Sequence, residues 1–256
     1  VTQDGSPEAP RLSARVGATP IDPSPEELVR RQLNRLLGLE VDLSAFAAMA
    51  VSDPLLAPLV ARMQGLKPPR FPTAFEALVN GVACQQLSLE AGLTLLNRIA
   101  ATCGRTMGAL HAFPEPADVV GLSRAALQAL GFSARKSDTI HELAEAAVAG
   151  ELGLEAFEPL DDAAVVAALV RRRGIGRWSA DYVLLRGLGR LHVFPRSDVG
   201  ALNGLAQGGC FRHGDGYVMR TAAKHGFSVA LLRREAHEFV RKEPLPGTIA
   251  VLRRDG

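Results

Sequence analysis

A chain of 256 residues with 47 % apolar composition can bury a substantial core, as one large domain or two small ones. Ala and Leu dominate, runs of β-branched residues are scarce and aromatics are only 5 %, which favours an all-α fold over a sheet-rich one. The net charge of +2 conceals an asymmetry: residues 1–170 hold 13 Lys/Arg against 20 Asp/Glu, and residues 171–256 hold 16 against 7.

Three cysteines, Cys84, Cys103 and Cys210, include no CxxC pair, so the sequence implies no disulfide framework and is compatible with a reducing cytoplasm. His213, His225 and His237 lack the three- or four-residue helical spacing of zinc ligands, and no metal is expected from them. With no signal-peptide pattern and no apolar run of membrane-spanning length, a soluble, cytoplasmic protein without membrane association is expected.

Residues 1–25 are rich in Pro, Gly and Ser and read as a flexible arm, although RLSARV alternates Leu12, Ala14 and Val16 in a strand pattern. Ser24-Pro25-Glu26-Glu27 is a helix start, and that helix stops at Gly38. Short helices follow from Asp42 and Ser44 to Met49, and from Asp53-Pro54 to Met63. Lys67 to Pro72 is a stiff connector.

A helical pair is expected from Thr73 to about Cys103, with Phe75, Leu78, Val79 and Val82 as its first apolar stripe. Gln85-Gln86-Leu87-Ser88 interrupts the pair, and Ser88 caps the second helix. Taken alone, those polar residues read as a solvated turn. Residues 114–160 read as two helices joined near 131–137, where Arg135 and Lys136 could meet a phosphate or simply be solvated.

The informative stretch is 163–205. Val165, Val166, Leu169 and Val170 mark one face of a helix that Gly174-Ile175-Gly176 breaks. A turn with two glycines leaves backbone N–H groups uncovered, and the next helix, from about Arg177, adds its positive end. Together they suit an anion such as a phosphate, with Arg171, Arg172, Arg173 and Arg177 around it. The positive half of the chain begins at this turn, as a nucleic-acid-facing half requires. Trp178 and Tyr182 are four apart on one helix face, a spacing more often found in core packing. Asp198 follows in VFPRSD, where Ser197 or Asp198 could merely cap the helix VGALNGL.

The segments GIGRWSADYVLLRGL, VFPRSD and NGVACQQLS fall in the order found in the helix-hairpin-helix DNA glycosylase superfamily, and most resemble its alkylbase branch, the 3-methyladenine DNA glycosylase II family. The resemblance spans roughly residues 28–205. It implies an all-α helical bundle of two subdomains with a helix-hairpin-helix motif. Residues 26–205 would form the glycosylase domain, residues 1–25 an arm or the remnant of an upstream β domain, and residues 206–256 an atypical basic tail. In that tail the four glycines of 206–216 argue against a packed helix, and Val229 to Val240 reads as a basic helix.

The same resemblance implies site residues. Arg173, Gly174, Ile175, Gly176 and Arg177 would hold DNA. Gln86 or Leu87 would fill the gap left by a flipped base. Trp178 and Tyr182 would line the base pocket, where an electron-rich ring face attracts a positively charged alkylated purine. Asp198 would be the catalytic carboxylate, stabilising an oxocarbenium-like sugar or orienting water. The backbone carbonyls of 171–176 would hold a monovalent cation at most. Bifunctional relatives carry a nucleophilic lysine two residues after the second hairpin glycine; here that residue is Trp178, which implies a monofunctional hydrolase without lyase activity. The four-cysteine loop of iron–sulfur glycosylases is absent from the sequence.

The expected activity is hydrolysis of the N-glycosidic bond of alkylated purines, chiefly 3-methyladenine and 7-methylguanine, in double-stranded DNA. It would proceed by base flipping, without cofactor, in a monomer, and leave an abasic site. The alternative is a non-catalytic DNA-binding or lesion-sensing module. A specificity for oxidised or deaminated bases fits less well, given the absent lysine and cysteines.

Overall fold

A computed structural model of the protein describes residues 1–6, 9–15, 25–53, 56–63, 65–195 and 197–198, and the strand residues 210–213, 216–219, 231–232 and 239–240. It divides into two units, 1–72 and 73–256.

In the first unit, β1 (Thr2–Ser6) and β2 (Ala9–Ser13) form an antiparallel hairpin. The strand alternation around Leu12 therefore prevails over the reading of a flexible arm in 2–13. Helix α1 (Pro25–Leu37) starts at the expected proline and ends before Gly38, whose φ of +60° reverses the chain. Helices α2 (Ser44–Val51) and α3 (Leu56–Arg62) follow. The stiff connector is tied to α1: Arg70 Nε donates to Arg35 O at 2.8 Å, and Arg35 Nε to Phe71 O at 3.0 Å.

The second unit is built around α4 (Ala74–Cys84). Thr73 caps it, accepting from Glu76 N at 3.1 Å, and Phe75, Leu78, Val79 and Val82 are all buried, as the stripe predicts. Helix α5 (Leu89–Cys103) follows under its expected cap, with Ser88 Oγ accepting from Ala91 N. A short ribbon of β3 (Thr106–Met107) and β4 (Leu110–His111) comes next.

The region read as two helices, 114–160, holds four: α6 (Pro116–Val120), α7 (Arg124–Ala129), α8 (Ala134–Val148) and α9 (Leu154–Phe157). Ser123 caps α7 and divides the first expected helix in two, Ser133 caps α8 at the expected junction, and α9 separates from the second expected helix after Gly153. Helix α10 (Asp162–Val170) leads into the hairpin and α11 (Arg177–Tyr182), which continues as a π-helical turn over Val183–Gly187. Helix α4 packs against α5, α8 and α11, and the core between them is Leu78, Val82, Ile99, Ile140, Leu143, Leu169, Val183 and Leu184. Each such side chain contributes roughly 1.5–3 kcal/mol by burial.

Two expectations are corrected. Val170 is 41 % exposed, because α10 ends there and only Val165 and Leu169 of the stripe reach the core. Within 229–240, read as a helix, the described residues are strand: β7 (Leu231–Leu232) and β8 (Phe239–Val240) join β5 (Cys210–His213) and β6 (Gly216–Met219) in an antiparallel four-stranded sheet. The expected helix at 199–205, His225 and His237 lie outside the described residues, as do 244–256.

Burial pushes the Glu76 carboxyl, in the first turn of α4, up to about 7. Its folded value therefore exceeds the ordinary glutamate value of 4.5, and the folded state binds the extra proton between the two. Stability is then greatest below the lower value and declines as pH rises through the higher one. Urea unfolding at about pH 5 and about pH 8 checks this: the wild type is expected to lose on the order of 1–2 kcal/mol more than Glu76→Gln, after discounting for partial exposure.

Candidate functional site

The hairpin turns at Gly174, with φ +79°. A Cβ there would lie only 2.1 Å from Thr139 Oγ1 of α8, so glycine is required twice over, by backbone angle and by space. Ile175 is buried, as expected of the residue between the glycines. Gly176 is the N-cap of α11, has open space where a Cβ would be, and supplies no side-chain cap. The N–H groups of Gly176, Arg177 and Trp178 have no hydrogen-bond partner among the described residues. These uncovered donors lie at the turn where the sequence predicts an anion.

The four arginines are less available than the sequence suggests. Arg172 pairs with Glu151 at 3.0 Å, Arg177 with the buried Asp181 at 2.8 Å, and Arg173 with Asp138 and Glu142 at 3.8 Å each. Arg171 makes no ion pair among the described residues. Only the two Arg173 contacts are long and exposed enough to yield readily to a phosphate.

Trp178 and Tyr182 stack face to face along α11, with centroids 5.4 Å apart and planes 21° apart. That spacing leaves no gap for a base between the rings, so the pair forms a two-ring wall instead of a sandwich. Gly81 of α4 faces both rings, and a Cβ there would make ordinary contacts, 3.5 Å from Tyr182 Cδ1 and 4.0 Å from Trp178 Cζ3. The Tyr182 hydroxyl donates to Asn80 Oδ1 at 2.8 Å, and burial pushes its phenol up to about 12, so it remains a donor. One turn beyond Tyr182, the Arg186 guanidinium lies 5.9 Å from its ring centroid.

Asp198 reaches this wall. Its Oδ2 accepts from Trp178 Nε1 at 3.0 Å, and its N–H donates to Pro195 O at 2.9 Å. The loop that delivers it is pinned near its start. Arg190 donates to Asp162 Oδ1 at 2.7 Å and to the carbonyls of Phe157, Glu158 and Leu160, while His192 meets Asp162 Oδ2 at 2.7 Å. Partial burial raises the Asp162 carboxyl, but His192 and Arg190 outweigh it and hold the group below its usual value.

Gln86 and Leu87, the two insertion candidates, sit at the exposed turn between α4 and α5, Leu87 with 45 % of its surface open. Lys136, read as a phosphate ligand or a solvated residue, is neither. Its Nζ donates to Ala83 O and Gln85 O, both at 2.8 Å, at the C-terminal end of α4. Asn80, Gln85, Arg186 and Arg190 were not singled out from the sequence. Only the four-residue interval between Arg186 and Arg190 and the polar pair Gln85-Gln86 gave any signal, because their partners lie far away along the chain. The carbonyls considered for a monovalent cation are partly engaged: Arg172 O accepts from Ile175 N, and Gly174 O from Gln85 Nε2.

The two hairpin glycines are expected to respond differently to alanine. Gly174→Ala meets both the φ restriction and Thr139 and should lose about 3 kcal/mol of stability or more in chemical unfolding. Gly176→Ala should cost about 1 kcal/mol or less and leave the fold intact.

The profile described as "HhH-GPD superfamily base excision DNA repair protein" matches residues 79–238. The match begins later than residue 28 and continues beyond Leu205, the two limits set by the motifs. A DNA-3-methyladenine glycosylase of Bacillus subtilis is 30 % identical over 190 residues, which are 73 % of this chain and 63 % of that protein. The 3-methyladenine DNA glycosylase from Archaeoglobus fulgidus superposes with a TM-score of 0.63 at 27 % identity, covering 71 % of this chain and 62 % of that one. A Schizosaccharomyces pombe 3-methyladenine DNA glycosylase in complex with abasic DNA gives a TM-score of 0.53 at 30 % identity, over 60 % of this chain and 75 % of that one. The chain spans 46–63 % of the length of three curated relatives it matches. With the helical fold, the hairpin and three separated motifs in agreement, this chain belongs to the HhH-GPD superfamily of base excision DNA repair proteins.

Proposed function

We propose that the protein is a DNA glycosylase that excises alkylated purines such as 3-methyladenine and 7-methylguanine from duplex DNA. The observation that carries the reading is the 3.0 Å hydrogen bond from Trp178 to Asp198. It sets a carboxylate against an aromatic wall on the same helix whose N-terminal amides are uncovered. The names of the relatives support the substrate class.

In this scheme the amides of Gly176, Arg177 and Trp178 hold a backbone phosphate, with Arg173 exchanging its acidic partners for it. Gln86 or Leu87 enters the space of the extruded base; Leu87 suits this better, being apolar and exposed at the turn. The flipped base lies against the rings of Trp178 and Tyr182, where a cationic purine gains roughly 0.5–2 kcal/mol. As the glycosidic bond lengthens, the electron pair leaves with the base and positive charge develops on the sugar. The Asp198 carboxylate, fixed by Trp178, stabilises that charge and orients the water that adds to the sugar carbon. A base that is already cationic leaves without a strong general acid, so one carboxylate suffices. No step runs through a metal.

The reaction is hydrolytic. Trp178 occupies the position where a lyase places its amine, and an indole forms no Schiff base. The expected result is an intact abasic strand, with no covalent adduct trapped by borohydride; a trapped adduct would overturn the monofunctional reading.

The decisive test is release of free methylated base from alkylated duplex DNA. Asp198→Asn keeps an oxygen acceptor for Trp178 but loses the charge. It is expected to bind DNA normally and to excise about 100- to 1000-fold more slowly. Equal excision by the variant would remove Asp198 from the mechanism, and no excision by either protein would leave DNA binding alone.

A further inference from the structure

The turn between α4 and α5 is held from two sides by side chains that the scheme above does not use. On one side, Gln85 Nε2 donates to Gly174 O at 3.0 Å and to Ser179 Oγ at 2.9 Å, tying the turn to the hairpin and to the first turns of α11. Ser179 is buried and Gly174 half-buried. On the other side, Lys136 of α8 donates from one ammonium to Ala83 O and Gln85 O. Immediately after these attachments the backbone enters the left-handed region at Gln86, with φ +54°, a conformation uncommon for a non-glycine residue. The exposed pair Gln86 and Leu87 is thus carried on a strained turn whose two supports are the hairpin and α8.

We infer that Gln85 and Lys136 are positioning residues that lock the insertion turn to the phosphate-binding hairpin, so that gripping the DNA backbone and opening the duplex occur as one event. The inference rests on the proposed glycosylase reading. Its physical basis is that the Gln85 amide joins the turn directly to the hairpin across 89 residues of chain, so a displacement of either is felt by the other. An insertion residue displaced by an ångström or so no longer fills the space vacated by the base. Lys136 neutralises the negative end of α4 and fixes the direction in which Gln86 leaves it. Gln85 then sets the height of the turn over Gly174. Neither side chain touches the reacting atoms, so the chemical step itself is left to Asp198.

The consequence is a selective defect. A methylated base in duplex DNA must be displaced from its stack, whereas the same base in a single strand need not be. Single-turnover release is compared on both substrates for wild type, Gln85→Leu and Lys136→Met. The expected result is a loss of about 10- to 100-fold on the duplex and less than about 3-fold on the single strand, with duplex affinity nearly unchanged. The double variant should lose little more than either single one, because both act on one turn. Should Gln85→Leu fail to fold, Ser179→Ala removes one of its two acceptors and leaves a methyl group in nearly the same space. It should show the same duplex preference at a smaller size. Equal losses on both substrates, or none on the duplex, would overturn the inference.

A second readout separates this idea from the glycosylase reading itself. 2-Aminopurine placed opposite the lesion reports opening of the stack without any chemistry. Binding by the wild type should brighten it, and binding by Gln85→Leu should not. If the wild type releases no base from either substrate, the proposed activity fails while this fluorescence difference still decides the coupling; equal brightening, or none with the wild type, refutes it.

Discussion

The close approach at Gly174 is the constraint on which the rest of the second unit depends. With no Cβ, the hairpin backbone packs directly on Thr139 of α8, and its carbonyl comes within reach of the Gln85 amide. Three elements then share one junction: α8, the end of α4 and the start of α11. A side chain at residue 174 would push the hairpin away from α8 and break the register between the uncovered amides and the turn that joins α4 to α5. Gly81 of α4, facing the rings of α11, is under no such constraint, since a Cβ there would make only ordinary contacts at 3.5 and 4.0 Å. The glycine that fixes the junction is therefore Gly174.

Electrostatics follow the same geometry. Charge counting places a positive half after residue 170, yet Arg172 and Arg177 are committed to acids within the fold. Under the proposed reading, what faces an incoming phosphate is first a set of backbone donors, and only then Arg171 and the loosely held Arg173. Backbone donors are fixed in direction and carry no side-chain entropy, so they define where a phosphate sits. Exposed ion pairs at 3.8 Å contribute little, and exchanging them for a phosphate costs little. The basic composition thus adds attraction at long range, while the hairpin supplies position.

What could be read from the sequence divides along the range of the interactions. Helices α1, α4 and α5 were legible because their caps and stripes are local: a proline after the start, Thr73 and Ser88 as caps, Leu78 and Val82 one turn apart. The hairpin was legible because its glycines act on their own backbone. Val170 was misread because periodicity does not say where a helix ends. Lys136 was misread because its acceptors lie 53 and 51 residues away, and a basic residue in a helix's first turn looks like any solvated one. The strands at 231–232 and 239–240 were read as helix for a related reason: two-residue strands carry almost no pattern, and pairing with β6 is not local. Gln85 was seen only as part of a polar interruption, although the structure makes it the link between that interruption and the hairpin.

The aromatic wall shows how an unliganded site can already be biased toward charge. Tyr182 has Trp178 stacked on it from the preceding turn and the Arg186 guanidinium beside it from the following one. Its ring is therefore engaged by a cation before any base arrives. Under the proposed reading, a base seeking the Arg186 side of that ring must displace the guanidinium. A neutral base would exchange a cation–π contact for ordinary stacking, whereas a cationic alkylated purine would restore a contact of the same kind, worth roughly 0.5–2 kcal/mol in such a setting. The tyrosine itself stays a neutral donor, since burial raises its phenol to about 12 and Asn80 Oδ1 accepts its hydrogen bond. Discrimination of damaged from normal bases can then arise without hydrogen bonds to the base edges. It comes from the difference between what a charged and an uncharged ring can give back to a tyrosine that already holds an arginine.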